Sequence, residues 1–183
     1  MRFSYHTEQS LPYPVEDVFA FFADPNNFPL LMPTWQNARI EEASIVPPAP
    51  CPTAASAPTS IAAGSGTRVA LSFRPFPYSP VRVRWQAEIA EFVWNDHFCD
   101  RQLRGPFAYW NHCHHVQAID RNGSDVTLIV DHVEYELPFG LIGRLTHRLF
   151  LRRQIERTFA CRQGQLTKIL ARVKPESPQS QSK

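Results

Sequence analysis

The cleanest alternation of apolar and polar positions runs from Phe107 to Leu137, FAYWNHCHHVQAIDRNGSDVTLIVDHVEYEL. Asn122-Gly123 lies at its middle, and an Asn-Gly pair accepts the positive φ angles of a two-residue type I′ turn. The spacing predicts one long β-hairpin. With those two residues as the loop, Arg121 faces Ser124, and counting back pairs His114 with Asp131, His112 with Val133 and Trp110 with Tyr135. One face then carries Trp110, His112, His114 and Val116 against Ile129, Asp131, Val133 and Tyr135. The other carries Tyr109, Asn111, Cys113 and His115 against Val130, His132, Glu134 and Glu136. The first face is an apolar wall with a few inward polar groups, which is the composition of a ligand cavity. A slip of one residue would turn all of these groups outward.

Around this hairpin the other elements fall into order. Phe3, Tyr5 and Thr7 alternate with Ser4, His6 and Glu8 as in a half-buried strand. Pro12 and Pro14 end it, and Pro14 suits the first position of a helix over VEDVFAFFA, with Val15, Val18, Phe19 and Phe22 on one side. Asp24-Pro25 closes that helix and can cap a short second one through Asn26, Asn27, Phe28 and Leu31. Strands are expected near Ala38 to Val46, from Thr67 to Phe73, from Val81 through Ile89, and after Asn95-Asp96. Beyond Leu137-Pro138-Phe139-Gly140 a long helix runs from Leu141 to Val173. Its apolar stripe changes phase between Ile142, Leu145, Leu149 and Leu151, Ile155, Phe159, Leu166, Leu170, so a bend is expected near Phe150. Residues 1–173 thus read as one α+β domain. From 47 to 66 the periodicity gives way to Pro, Ala, Ser and Thr, as in a flexible loop that is either a lid or an idle insertion; composition favours the idle reading, which argues against a role for Cys51. Residues 174–183 are expected to be a disordered tail.

Composition adds two constraints. Apolar residues make up 43% and charged residues 20%, which excludes a disordered chain, and 13 Phe, 4 Trp and 5 Tyr exceed what a minimal core needs. The net charge of +2 conceals nine Lys/Arg against Glu156 alone between Phe139 and Lys174. A solvated helix face is the favoured reading, with weak contact to a membrane surface as the alternative. No nucleic-acid motif accompanies the basic run. Cys51, Cys99, Cys113 and Cys161 form no C-x-x-C pair, so reduced thiols and a cytoplasmic location are expected. No apolar run approaches the roughly 20 residues of a membrane-spanning helix.

VEDVFAFFADPNNFPLLMPTW, RGPFAYWNHCHHV and VDHVEYELPFGLIGRL together resemble the START-related SRPBCC superfamily of polyketide cyclase-like, coenzyme Q-binding, lipid-transfer and pollen-allergen proteins. The resemblance spans most of the chain. It implies the helix-grip fold: two short helices after the first strand, and a curved antiparallel sheet of six or seven strands wrapped around a long C-terminal helix. It also implies an internal cavity for a small hydrophobic or lipid-like molecule, and it supplies no shared catalytic motif.

Trp110, His112, His114, Asp131, Val133 and Tyr135 are therefore the candidate ligand-binding residues. Binding or transport is favoured over catalysis. The alternative is a polyketide cyclase or dehydratase-like enzyme, with Asp131 orienting His114 as general base and His112 or Tyr135 as acid. His112, His114 and Asp131 also match a two-His-one-carboxylate metal set, but a self-satisfied buried pair explains them as well, and neither metal nor cofactor is expected. Trp35, Trp85 and Trp94 are expected in the core.

Overall fold

The computed structural model describes residues 1–51, 61–121 and 123–173. Seven strands form one antiparallel sheet: β1 (Arg2–Leu11), β2 (Arg39–Ser44), β3 (Arg68–Phe73), β4 (Val83–Val93), β5 (His97–Arg104), β6 (Tyr109–Arg121) and β7 (Ser124–Glu136). Their order is β1-β7-β6-β5-β4-β3-β2, so the last six run as a meander and the first returns to pair with the last. Helix α1 (Val15–Ala23) follows β1. A 3₁₀ turn (Pro25–Asn27), a single turn α2 (Phe28–Leu31) and another 3₁₀ turn (Thr34–Gln36) lead into β2. After β7 come α3 (Gly140–Thr146), a π-helical turn (His147–Leu151) and α4 (Arg152–Val173). These three form one 34-residue helical segment against the curved sheet, the helix-grip architecture.

Local chemistry accounts for the boundaries. Pro14 sits just before α1, at φ −56° and ψ 147°, and not within it. The Asp24 carboxylate accepts from the Asn26 backbone N–H at 2.9 Å and so starts the following turn. Gly123 takes φ +78°, and the Asp120 carboxylate accepts its N–H at 2.8 Å, which stabilises the hairpin end; Asn122 lies outside the described residues. The predicted pairing of β6 and β7 holds along its length: His114 opposes Asp131, His112 opposes Val133 and Trp110 opposes Tyr135.

Two apolar clusters form the core. One joins α1 to the turn end of the hairpin and to the end of α4, through Phe19, Val116, Ile129, Leu166 and Leu170. The other packs Ile155 and Phe159 of α4 on Val133 and Tyr135 of β7. His112, His114 and Asp131 form the polar layer between these clusters, all less than 10% exposed.

Several expectations need correction. Cys99 of β5 and Cys113 of β6 are directly opposed and form a disulfide; Cys51 and Cys161 do not take part. The reduced-thiol expectation fails at this pair, because the β5–β6 register that aligns it could not be read from a Gly-Pro turn. The insertion is not wholly idle either. Although residues 52–60 lie outside the described residues, Ala63 is buried with its N–H on the Ala23 carbonyl, and Trp94 Nε1 donates to Ala49 O. The expected tail, 174–183, also lies outside the described residues. At the phase change near Phe150 stands the π turn, whose extra residue per turn rotates the stripe. Leu145 before it and Leu149 within it point to solvent; Ile155, Phe159, Leu166 and Leu170, after it, are buried.

Candidate functional site

The long helix covers the β1-β7-β6 side of the sheet, and β3 to β5 curve away from it. The space left is a cavity of about 360 Å³. Val69, Leu71, Trp85, Ala87 and Ile89 form its floor, where the period-2 pattern of β3 and β4 aims them inward. Phe22 and Phe28 close it from the helical turns, and Ile155 and Phe159 from α4. Trp85 is thus half-buried cavity wall and not core, whereas Trp94 packs against the core as expected.

Polar groups reach this apolar space at few points. Trp110, His112 and His114 line it, as anticipated. Asp131 stands behind the two imidazoles: His112 Nε2 donates to Asp131 Oδ1 at 3.1 Å. His114 Nδ1 approaches the same oxygen at 2.5 Å, but off the axis along which a ring N–H donates, so it makes no aligned hydrogen bond. Val133 and Tyr135 do not line the cavity, because α4 lies directly over them. The Tyr135 hydroxyl shares a hydrogen bond with His147 Nε2 at 2.9 Å and points to it, not to His114. Burial pushes the Tyr135 phenol up to about 12, despite the opposing Arg152 charge.

Several polar residues in the wall went unnoticed in the sequence as site residues, Asp100, Gln36 and Arg162 among them. Asp100 on β5 opposes His112, and its Oδ1 lies 3.4 Å from His112 Nδ1. His112 is therefore flanked by a carboxylate at each nitrogen. Gln36 lines the cavity with Oε1 buried and, among the described residues, without a hydrogen-bond partner. Arg162 of α4 also lines it, with its guanidinium 5.1 Å from the Phe159 ring centroid. The inward position of Asp100 follows from alternation with Cys99, but only once the strand is placed.

The electrostatics separate the two histidines. Burial alone would lower the His112 pKa, but its contacts with Asp100 and Asp131 override this and hold it above the ordinary value. His114 is lowered to about 4, first by burial and then by the charge on His112. It sits between aromatic rings, 4.6 Å from Phe98 and 5.1 Å from Phe22 by centroid. Asp131 is held well below the usual carboxylate range: the neighbouring histidines outweigh the desolvation that would raise it. The layer thus sets His112, held above the ordinary imidazole value between two carboxylates, next to a His114 that is neutral at neutral pH. Asp100, His112 and His114 also bring donor atoms within 4.8 Å of one another, a set that could hold a divalent cation, although Asp100 and Asp131 already satisfy both His112 nitrogens.

The fold has known counterparts. A Streptomyces sp. R1128 structure, the Zhui aromatase/cyclase, superposes with a TM-score of 0.67 at 13% identity, covering 96% of this chain and 98% of that one. TTHA0849 from Thermus thermophilus gives 0.64 at 16% identity, covering 93% and 99%. Norcoclaurine synthase from Thalictrum flavum gives 0.59 at 13%, covering 93% and 87%. At these identities the likeness concerns the fold. No curated protein matches the chain in sequence. The sequence profile of the family described as polyketide cyclase / dehydrase and lipid transport matches residues 11–157, most of the chain, and this protein belongs to that family.

Proposed function

We propose that the protein binds a small, largely apolar molecule in the cavity between sheet and long helix, and holds its polar end at Asp100, His112 and His114, with Gln36 as a separate polar contact elsewhere in the lining. The observation that carries this reading is the cavity itself: about 360 Å³ of space walled by aromatic and aliphatic side chains, with a buried acceptor at Gln36 Oε1 that is orphaned among the described residues. Its volume lies at the small end of ligand pockets, which span roughly 300–1,000 Å³. An unpaired buried amide oxygen costs free energy that a ligand hydroxyl or amide N–H would recover. Trp110, with Trp85 5.1 Å away edge to face, supplies an aromatic surface for a flat ligand. Asp131 orients His112 from behind and lies close to His114, and Val133 and Tyr135 support the wall without touching the ligand.

Titration with the fluorescent probe 8-anilinonaphthalene-1-sulfonate tests the reading. The protein should show saturable one-to-one enhancement, and Ala87→Phe, which fills the cavity floor, should weaken it by about 10-fold or more, equivalent to ~1.4 kcal/mol. Unchanged affinity in that variant would remove the cavity as the binding site.

One observation favours acid/base catalysis as a second reading. Adjacent imidazoles with pKa values pushed apart provide a proton donor in His112 and an acceptor in His114, which suits an aldol-type cyclisation or dehydration. A binder tolerates His114→Ala with altered affinity alone, whereas an enzyme of this kind loses turnover by ~100-fold or more.

A further inference from the structure

The helical segment opens with an apolar face that none of the described residues covers. Phe139, Leu141, Ile142, Leu145 and Leu149 are 80%, 78%, 70%, 59% and 67% exposed. Large apolar side chains clustered in one short run mark a contact surface. They are not waiting to fold inward, because the inner side of the same segment is already seated. Gly143 is buried against Pro138, where an added Cβ would lie 2.5 Å from the carbonyl oxygen. His147 stacks on Phe3 at a centroid distance of 3.6 Å and shares a hydrogen bond with Tyr135. Phe139 holds its outward position at φ +70°, a conformation that non-glycine residues adopt rarely.

The charge around this face selects its partner. Arg144 and Arg148 are exposed, and among the described residues neither forms an ion pair. With Arg152 and His147 they line a groove beside Leu145, Met1 and Phe3. The one acidic side chain of the segment, Glu156, already accepts from Arg152 at 3.0 Å. A second copy on the same face would set these arginines against their own equivalents, without carboxylates to neutralise them. Apolar side chains flanked by arginines instead suit the boundary of an anionic bilayer, where the leucines enter the acyl region and the guanidinium groups reach phosphate.

We infer that Phe139, Leu141, Ile142, Leu145 and Leu149, with Arg144 and Arg148, dock the protein on an anionic lipid surface. The inference is independent of what the cavity holds. It has a spatial consequence, however, because Phe150 belongs to the same run, is half exposed and also lines the cavity. Docking therefore brings one wall of the cavity to the bilayer.

Co-sedimentation of the full chain with phosphatidylcholine vesicles, with and without phosphatidylglycerol, tests the surface. Binding should require phosphatidylglycerol and be released by salt. Leu141→Glu with Leu145→Glu should reduce partitioning by about 10-fold or more with the thermal midpoint unchanged. Arg144→Glu with Arg148→Glu should abolish the preference for the anionic vesicle. If the double leucine variant misfolds, Leu149→Glu serves the same purpose. Absence of binding to both vesicles, or binding indifferent to all these substitutions, would overturn the inference. So would a concentration-dependent dimer in sedimentation velocity that Leu141→Glu with Leu145→Glu dissolves, since a second copy would then cover the face.

Discussion

His112 and His114 are two residues apart on one strand, equally buried, and shifted in opposite directions from the ordinary imidazole value. The reason is the number of carboxylates each meets: His112 touches Asp100 and Asp131, while His114 approaches Asp131 alone and is otherwise enclosed by Phe22 and Phe98. Side-chain ¹⁵N spectra at pH 6 should therefore show His112 as imidazolium and His114 as a neutral ring; two neutral rings would contradict the arrangement. The sign of each contribution to stability follows. His114, lowered to about 4, favours folding above its unfolded value near 6.5 and loses that contribution as pH falls towards 4. His112, raised, contributes fully below 6.5 and loses its share as pH rises through its folded value. Asp131 and Asp100, both lowered, contribute above the usual carboxylate value near 3.8, and that share is lost in stronger acid. Asp131→Asn leaves a buried imidazolium short of one counter-charge, so it should cost ~3 kcal/mol in urea unfolding at pH 6, below the raised His112 value, and lower the His112 pKa. A loss below about 1 kcal/mol would mean that Asp100 suffices. Asp131 could be found from sequence because the Asn122-Gly123 turn fixes its partner. Asp100 could not, since its partner lies across a turn of no definite length.

At the scale of elements, legibility followed the turns. The β6–β7 hairpin carries its own register signal, and its inner and outer faces could be assigned residue by residue. Between β5 and β6 the Gly105-Pro106 break leaves several pairings open, so both the Cys99–Cys113 bridge and the Asp100–His112 contact stayed hidden. The bridge is testable by alkylation in denaturant: two thiols, Cys51 and Cys161, should react without reductant, and all four after reduction. Four reactive thiols from the outset would restore the reduced reading. The junction from β7 to α3 shows the reverse case, where an element was found but its packing was not. Periodicity located Ile142, Leu145 and Leu149 on one stripe, yet a stripe does not say whether protein or another phase covers it. Gly143 settles the orientation: its missing side chain lets α3 close on Pro138 and turns the stripe outward. Gly143→Val should accordingly cost ~1–3 kcal/mol in thermal or urea unfolding, as overpacking at a rigid backbone contact does.

For the whole molecule, the question is why a chain so rich in aromatics leaves its centre open. One helix cannot fill the concavity of seven strands: α4 seals Val133 and Tyr135 with Ile155 and Phe159, and the β3–β5 side keeps its inward residues bare. The family fold was legible in the chain, but the lateral placement of the helix was not, and that placement excludes Val133 and Tyr135 from the cavity while admitting Gln36 and Arg162. An open interior forfeits the dispersion contacts that a packed core would gain, so the wall and the packed core should respond oppositely to a change of volume. Phe19→Ala removes a fully buried ring from the packed core, away from the cavity lining, and should cost ~3–5 kcal/mol. Ala87→Phe adds a ring to the open side, between Trp85 and Ile89, and should raise stability by ~0.5–2 kcal/mol while weakening the aromatic probe. Equilibrium urea unfolding of the two variants, read beside probe affinity, separates a space retained for a ligand from a space already filled by wall motion. In the second case Ala87→Phe would destabilise as an overpacked core does, and the cavity would hold no room for a guest.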